Sequence, residues 1–388
     1  MAASVAKQRF ADAESAGLIQ RALRLCRELP ETARRDREEL ELLLRLGPSL
    51  VTTRGYSVHE VGDTYHRALE LSRRLKDSEP LFASLSGAWL FHIVRGELEE
   101  SRKLAQESVD VAREEGSVPQ EMAGHFLLGT SLFHLGRLKA SWDEVGIAVA
   151  FPDKTSHPAL GLFATDVGIF SQAYVSHLLC QYDDTGAAVA KSDESVLRAR
   201  ELAHPFTLAI ALDYAAMMNV YRCECGLTLE LAEEAAAICS KHGFAYYLAM
   251  AEILAGWGTG MEGNAEAGIH RIRGGLDALK SIRAELRLPF YYGLLGEICG
   301  RSGQIGEALA NVATGFAFLS KNAEMWAAPE LHRIHGDLLL SSGDEKQAQA
   351  SYRRAIAIAG QTSSRLSEQR AADRLQSLQI KPVEAAER

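Results

Sequence analysis

The chain has 388 residues, of which 47% are hydrophobic, 24% charged and 7% aromatic, so it can bury a large core and is not disordered as a whole. Its 51 acidic and 42 basic residues give a net charge of −9 without a local basic stripe, which excludes a surface that attracts nucleic acid or anionic lipid. The six cysteines are scattered, and we see neither a secretory signal nor a span of about 18 apolar residues. We therefore expect a cytoplasmic protein.

The first segment, residues 1–50, is predicted to be helical but not to complete a repeat. Residues 11–29 have the apolar spacing of an amphipathic helix, which can pack on the leucines between Leu40 and Leu46. No earlier stretch is long enough to supply a partner helix. The segment is either an N-terminal cap of an array or the remnant of an upstream repeat, since terminal repeats are usually atypical.

The next segment, residues 51–360, carries an internal repeat. A turn glycine recurs at a spacing of 40 residues, once between Gly96 and Gly136 and again through Gly263, Gly303 and Gly343. Within the long gap, Cys223 stands 40 residues before Gly263, and an irregular unit turns near Gln181 and Tyr182. Such a period indicates stacked supersecondary units that share one core.

Each unit is predicted to be a helix hairpin. Small residues lie seven positions before most of the turns and five and twelve positions after them, so that the second helix presents a small-residue face to its neighbour. Alternating β-branched runs are absent, and the segments between the turns are rich in Ala, Leu, Glu and Arg. We predict an all-α solenoid of about eight hairpins, turning near Gly55, Gly96, Gly136, Gln181, Cys223, Gly263, Gly303 and Gly343.

Two further segments interrupt or end the array. Residues Phe151 to Leu160, with two prolines, are predicted to form a loop that lengthens the irregular unit. The last segment, residues 361–388, contains an amphipathic stretch from Ser364 to Leu378 that would cap the solenoid, followed by a polar tail from Lys381.

The spacing of small residues resembles the tetratricopeptide repeat (TPR), although the period is 40 residues and not 34. HEAT and armadillo repeats share the longer period but not this internal spacing. In a TPR array the first helix of each hairpin lines the concave surface with its second, fifth, ninth and thirteenth residues. The resemblance therefore implies a concave groove whose predicted contacts are Phe126, His134, Asp213, Tyr221, Trp257, Glu297, Arg301, Arg333 and Asp337.

Four stretches in order resemble a particular family. They are LPETARRDREELELLLRLGPSLVTTRGYSVHEV from Leu29, FHIVRGELEESRKLA from Phe91, RARELAHPFTLAIAL from Arg198 and PELHRIHGDLLL from Pro329. They are similar to the C-terminal repeat region of large bacterial signalling proteins that combine a class III adenylate or guanylate cyclase with a predicted ATPase of the AAA/STAND type. The resemblance implies a regulatory region. The chain itself lacks the phosphate-binding loop of an ATPase and the strands of a cyclase.

Other candidate sites are weaker. His332 and His335 stand three residues apart on a predicted helix, but a zinc site needs further ligands. Cys223 and Cys225 have no second cysteine pair at metal spacing, and most such thiols are small buried side chains. We predict no catalytic residue, no metal and no cofactor.

The expected function is therefore a non-catalytic module of bacterial signal transduction that binds a protein or peptide in its concave groove. One alternative is a regulatory C-terminal fragment of a cyclase or ATPase whose catalytic domains are not in this chain. Another is a small-molecule sensor, in which Tyr221 and Trp257 would stack on an effector. The sequence does not specify the partner or the oligomeric state.

Overall fold

A computed structural model describes residues 2–150 and 165–379, with the backbone alone for residues 2–13 and 379. These ranges contain eighteen α-helices, one short 3₁₀ helix and no strand. In chain order the α-helices are α1 Ala2–Arg27, α2 Ala33–Arg54, α3 His59–Leu75, α4 Ser78–Val94, α5 Leu98–Glu115, α6 Val118–His134, α7 Leu138–Ala150, α8 Val167–Gln181, α9 Thr185–Leu202, α10 Pro205–Tyr221, α11 Cys225–His242, α12 Ala245–Met261, α13 Ala265–Ser281, α14 Leu288–Arg301, α15 Ile305–Asn322, α16 Ala328–Ser341, α17 Glu345–Thr362 and α18 Arg365–Gln379. The 3₁₀ helix, Met325–Ala327, precedes α16.

Antiparallel hairpins form the predicted all-α solenoid, from α2 with α3 to α16 with α17. The residue that reverses the chain in each has a positive φ, which glycine adopts without steric cost. Asp183 and Cys223 replace glycine in two of the turns, with φ of 66° and 58°. Because Asp183 lies 40 residues before Cys223, the regular spacing extends from Asp183 to Gly343. Sequence spacing placed this turn one or two residues too early.

Small residues let the two helices of a hairpin approach closely, as the spacing predicts. A Cβ built on Gly256 of α12 would lie 2.8 Å from the carbonyl oxygen of Gly268 on α13. A Cβ on Gly275 would lie 2.7 Å from the carbonyl oxygen of Ala249. Any side chain at these glycines would force the helices apart, so the small residues determine the packing distance.

The array coils back onto itself, which the repeat pattern did not predict. The Ser57 hydroxyl donates to the carbonyl of Ile282, which is 225 residues away. The backbone N–H groups of Glu285 and Leu286 donate to the carbonyl of Val94, over 2.8 and 3.1 Å. The Ser364 hydroxyl donates to Gln181 over 2.6 Å. Hairpin ends of the N-terminal half therefore rest on the loops that join hairpins in the C-terminal half.

The terminal segments differ in what the structure describes. The predicted C-terminal helix is present as α18, whereas the predicted loop from Phe151 to Leu160 and the polar tail from Lys381 lie outside the described residues. At the other end, α1 packs on α2. The division into a cap at 1–50, an array at 51–360 and a final segment at 361–388 stays a prediction.

Within the described ranges, no helix is both long and apolar enough to cross a bilayer.

Candidate functional site

The predicted groove residues all belong to first helices of hairpins, whose side towards the centre of the superhelix we call the inner face, and most of them are buried. Side chains of α6, α10 and α12 at these positions are buried, namely Phe126, His134, Asp213, Tyr221 and Trp257. Towards the C-terminal end, Arg333 is also buried, Glu297 and Asp337 are about a quarter exposed, and Arg301 is exposed. Within the described ranges, the structure shows no continuous open groove through these residues. Ligand contact at these nine positions stays a prediction.

A buried polar cluster fills the centre of the superhelix, around the carboxylate of Glu324. His134 Nδ1 lies 3.0 Å from Glu324 Oε1, and the Trp326 indole N–H donates to the same oxygen over 2.7 Å. The backbone N–H of Arg287 donates to both carboxylate oxygens, over 3.1 and 2.9 Å. One carboxylate therefore joins α6 to two loops of the C-terminal half.

The side chain of Arg287 extends this cluster and is 1% exposed. Its guanidinium donates to the hydroxyls of Tyr174 and Tyr214, and Tyr246 lies 3.4 Å away. It also lies 4.9 Å from the centre of the Tyr214 ring, which is a cation–π contact. Spacing within a repeat contains no signal for this residue, because Arg287 belongs to a loop between hairpins and its partners are on α8, α10 and α12.

Several polar atoms on the inner face have no protein partner. His177 Nε2 bonds the carbonyl of Tyr214 over 2.8 Å, which leaves Nδ1 as a buried acceptor without a donor. Both carboxylate oxygens of Asp213 are buried and unpaired, and burial raises the pKa of this side chain well above its usual value, with Arg287 opposing the shift. Tyr221 Oη and Glu330 Oε2 are unpaired as well. All four side chains belong to first helices of hairpins.

Charged residues form a network at the C-terminal end of the inner face. Arg333 is bonded to Glu297 at 3.3 Å, to Glu330 at 2.7 Å and to Asp337. The indole N–H of Trp257 donates to Glu297 over 2.8 Å. Because Arg333 is enclosed by three carboxylates, its charge is satisfied within the protein and is not available to bind an anion.

Helix α18 covers part of this network and closes a cleft. The cleft is small, with about 10 Å³ of free volume, which is room for about one water molecule. Its walls come from α8, α10, α14, the 3₁₀ helix, α16 and α18, through residues that include Gln181, Tyr221, Phe290, Trp326, Glu330 and Arg370. Sequence spacing found Tyr221 at this place but missed the contribution of α18, which lies outside the repeat register.

The histidine pair His332/His335 and the cysteine pair Cys223/Cys225, weighed above as metal sites, contact side chains of the protein. His335 Nδ1 lies 2.7 Å from the Ser351 hydroxyl, whereas the ring of His332 packs on Phe316. The Cys223 thiol lies 2.6 Å from the Arg370 guanidinium, and burial raises its pKa. In the described part of the chain, no three His, Cys, Asp or Glu side chains are placed to hold a metal ion together.

Comparison with known proteins supports the fold class and leaves the family open. No family model matches. The chain is 24% identical over 353 residues to an uncharacterized protein of Rhizobium meliloti (strain 1021), a match that covers 88% of this chain and 33% of that protein. The chain thus spans about a third of the length of this curated relative.

Solved structures with a similar fold are helical-repeat proteins. A Rap protein complexed with Competence and Sporulation Factor superposes with a TM-score of 0.53 at 12% identity, covering 89% of this chain and 98% of that one. The apo form of the quorum sensor NprR from B. thuringiensis gives a TM-score of 0.48 at 12% identity, covering 86% and 89%. A STAND protein with a tetratricopeptide repeat sensor from Pyrococcus horikoshii gives 0.43 at 11% identity, covering 94% and 55%. The chain is an all-α solenoid of TPR-like hairpins.

Proposed function

We propose that this chain is a non-catalytic regulatory module that binds a protein or peptide on the inner face of its superhelix. The observation that carries the proposal is the set of unpaired polar atoms on that face, at His177, Asp213, Tyr221 and Glu330. These four side chains belong to first helices of hairpins, the helices that line the concave surface of a TPR-like array.

The energetic argument is that a buried polar atom without a partner costs about 1–3 kcal/mol. A polypeptide ligand supplies backbone N–H and C=O groups at short intervals, together with side chains, and so it can pair donors and acceptors on several successive helices. The unpaired atoms lie on α8, α10 and α16, which are first helices of three different hairpins. Binding would recover part of the cost that the unliganded chain bears.

The likeness to the Rap protein supports a fold that can hold a ligand, since that protein was solved complexed with Competence and Sporulation Factor. For this chain the nature of the ligand rests on the inner-face chemistry, because 12% identity supports the fold alone.

We further propose that the module is a regulatory part of a larger signalling protein of the cyclase or ATPase type. The supporting observation is the match to a curated relative of which this chain spans about a third. Detection of a cyclase or ATPase activity that depends on this chain, when it is added to or fused with the candidate catalytic domains, would test this context separately.

A binding selection tests the main proposal. The full chain is immobilised, random twelve-residue peptides displayed on phage are selected, and recovered peptides are measured by fluorescence anisotropy. We expect several peptides to compete for one site, and Arg301→Glu on the inner face to weaken them at least about tenfold. Arg353→Glu on α17 is the matched exposed control and is expected to change nothing. Equal loss in both variants, or no competition among peptides, would contradict an inner-face site.

A further inference from the structure

Helix α1 and the turn that follows it carry an exposed apolar stripe. Leu18, Leu25 and Leu29 are 58%, 65% and 50% exposed, and they are three of the eight large apolar side chains that are exposed in the described part of the chain. The other five are scattered over α6, α7, α9 and α11. Single apolar residues are normal on a protein surface, whereas a row of leucines on one short segment indicates a surface that another molecule covers.

The leucines share one face because the helical twist continues as far as Leu29. The stripe consists of Leu18, Ala22, Leu25 and Leu29, and its spacings of four, three and four residues bring side chains to the same side of a helix. The backbone N–H groups of the two residues after α1 donate to carbonyls three residues back, both over 3.2 Å, so a 3₁₀ turn prolongs the helix. The same spacing forms the seam of a coiled coil.

A different face of α1 packs on the array. Ala16, Leu23 and Cys26 are buried, and α1 packs on α2. At about 100° per residue, these buried side chains lie roughly a third of a turn around the helix from the leucine stripe. A second helix can therefore lie against the stripe without displacing α2.

Two opposite charges border the stripe on the side away from α2. Arg21 and Glu28 are exposed and make no ion pair within the described residues. They stand seven residues apart, which is about two helical turns, so both lie along the same edge of the stripe. A pair of opposite charges on one edge is complementary to the same edge when it runs in the reverse direction.

We infer that α1 is a self-association surface, on which the leucine stripes of two copies of this chain pack antiparallel around a two-fold axis. One register pairs Leu18 of one copy with Leu29 of the other. It also brings Arg21 of each copy beside Glu28 of the second copy, so that two ion pairs form by symmetry. A shift by one helical turn would pair Leu18 with Leu25 and place the two Arg21 side chains against each other. The charges therefore select the first register.

This self-association does not depend on the proposed function. The inner face is formed by first helices of hairpins, whereas α1 precedes the first hairpin, so a dimer through α1 does not use the inner face. A stripe of about three helical turns buries less than the roughly 1,200 Å² of a stable complex, so we expect a dissociation constant of about 10 µM.

Sedimentation of the full chain between about 1 and 200 µM measures the association. We expect the mean mass to rise from that of a monomer towards that of a dimer. Leu18→Gln is expected to weaken the dimer at least about tenfold, with circular dichroism confirming an unchanged helix content, because the side chain is exposed. Leu197→Gln on α9 is the matched control, since Leu18 and Leu197 are both 58% exposed.

Charge reversal tests the antiparallel register. Arg21→Glu places two acidic side chains at each contact and Glu28→Arg places two basic ones there, so each variant alone is expected to associate at least about fivefold more weakly. An equimolar mixture of the two variants is expected to form a heterodimer about as strongly as the wild type forms its dimer, because every contact again joins opposite charges. Arg24→Glu, at an exposed position of α1 outside the stripe, is the control.

Three results would overturn the inference. A chain that stays monomeric up to about 200 µM would assign the stripe to a helix of another protein. Equal weakening by Leu18→Gln and Leu197→Gln would mean that the dimer does not form through α1. A mixture of Arg21→Glu and Glu28→Arg that associates no better than either variant alone would refute the antiparallel register.

Discussion

His134 and Glu324 lie 190 residues apart in the sequence, and their side chains meet at 3.0 Å in the fully buried centre of the superhelix. His134 ends α6, whereas Glu324 belongs to the loop before α16. This contact joins two successive turns of the coil and shows that the array is closed by specific polar bonds as well as by apolar packing.

Glu324 is the carboxylate on which this closure depends. We expect Glu324→Ala to lower the free energy of unfolding by about 3–5 kcal/mol, because it leaves His134, Arg287 and Trp326 with buried donors that have no acceptor. Urea unfolding followed by circular dichroism measures the loss. The control is Glu266→Gln, at an exposed position, where a change below about 0.5 kcal/mol is expected. Equal values for the two variants would mean that the central cluster does not stabilise the fold.

The buried histidines predict a loss of stability in weak acid. Burial lowers the pKa of His134 from 6.5 to about 4, with Arg287 adding to the shift and Glu324 opposing it. Between these values the unfolded chain binds a proton that the folded chain does not, so the free energy of unfolding falls as the pH falls from about 6.5 to about 4. This single histidine accounts for about 3 kcal/mol at the acidic end of that range.

Urea unfolding at a series of pH values checks this expectation. His134→Gln is expected to flatten the dependence of the free energy of unfolding on pH between 6.5 and 4. His270→Gln, at an exposed histidine, is expected to leave that dependence unchanged. A slope that is the same in wild type and His134→Gln would refute the assignment.

Because successive coils of the superhelix touch, we expect alanine to destabilise the protein more at one hairpin glycine than at an equivalent one. Gly96 and Gly303 both reverse a hairpin at positive φ, 74° and 80°. A Cβ on Gly303 meets nothing within 4 Å, whereas one on Gly96 would clash with the side chain of Asn322. We expect Gly303→Ala to cost about 1–2 kcal/mol of backbone strain and Gly96→Ala at least about 1 kcal/mol more.

Thermal unfolding of the two variants measures the difference. Because both substitutions create the same strain in the same kind of turn, each is the control for the other. Equal melting temperatures would indicate that the hairpin ends of the N-terminal half do not rest on the C-terminal loops in solution.

Cys223 occupies a turn position where other hairpins have glycine. Its φ of 58° strains a residue with a Cβ, so Cys223→Gly is expected to raise the free energy of unfolding by about 0.5–1 kcal/mol, less whatever the contact with Arg370 contributes. Cys223→Val, which keeps a side chain and adds a β-branch, is expected to lower it. Urea unfolding of both variants measures the two changes. A valine variant more stable than the wild type would contradict the claim that the positive φ strains a side chain at position 223.

The hairpins and their packing on neighbouring hairpins were predictable from sequence, whereas the coiling of the array back onto itself was not. Turn glycines and small residues specify how each helix packs on its neighbours, which is why the spacing of Gly263, Gly303 and Gly343 predicts the hairpins. Contacts such as Ser57 with Ile282 depend on the accumulated curvature of five or six hairpins, and no residue pattern within one repeat encodes that sum.

The same reason explains the outcome for the candidate site. The resemblance to TPR arrays predicts that Tyr221, Trp257 and Glu297 line a concave groove, and that role stays a prediction. In the structure Tyr221 lines the cleft beneath α18, and the Trp257 indole N–H donates to Glu297. Arg287 and Arg370 lie outside the repeat register, in a loop and in the last helix, so neither was predicted. Both arginines reach their partners only in the folded superhelix.

The most direct test of the central claim is hydrogen–deuterium exchange of the full chain with and without a saturating peptide recovered from the display selection. The inner-face account predicts slower exchange in α8, α10, α14 and α16, and unchanged exchange in the second helices α9, α11, α13 and α17. Protection confined to those second helices would contradict the claim that the inner face of the superhelix is the binding surface.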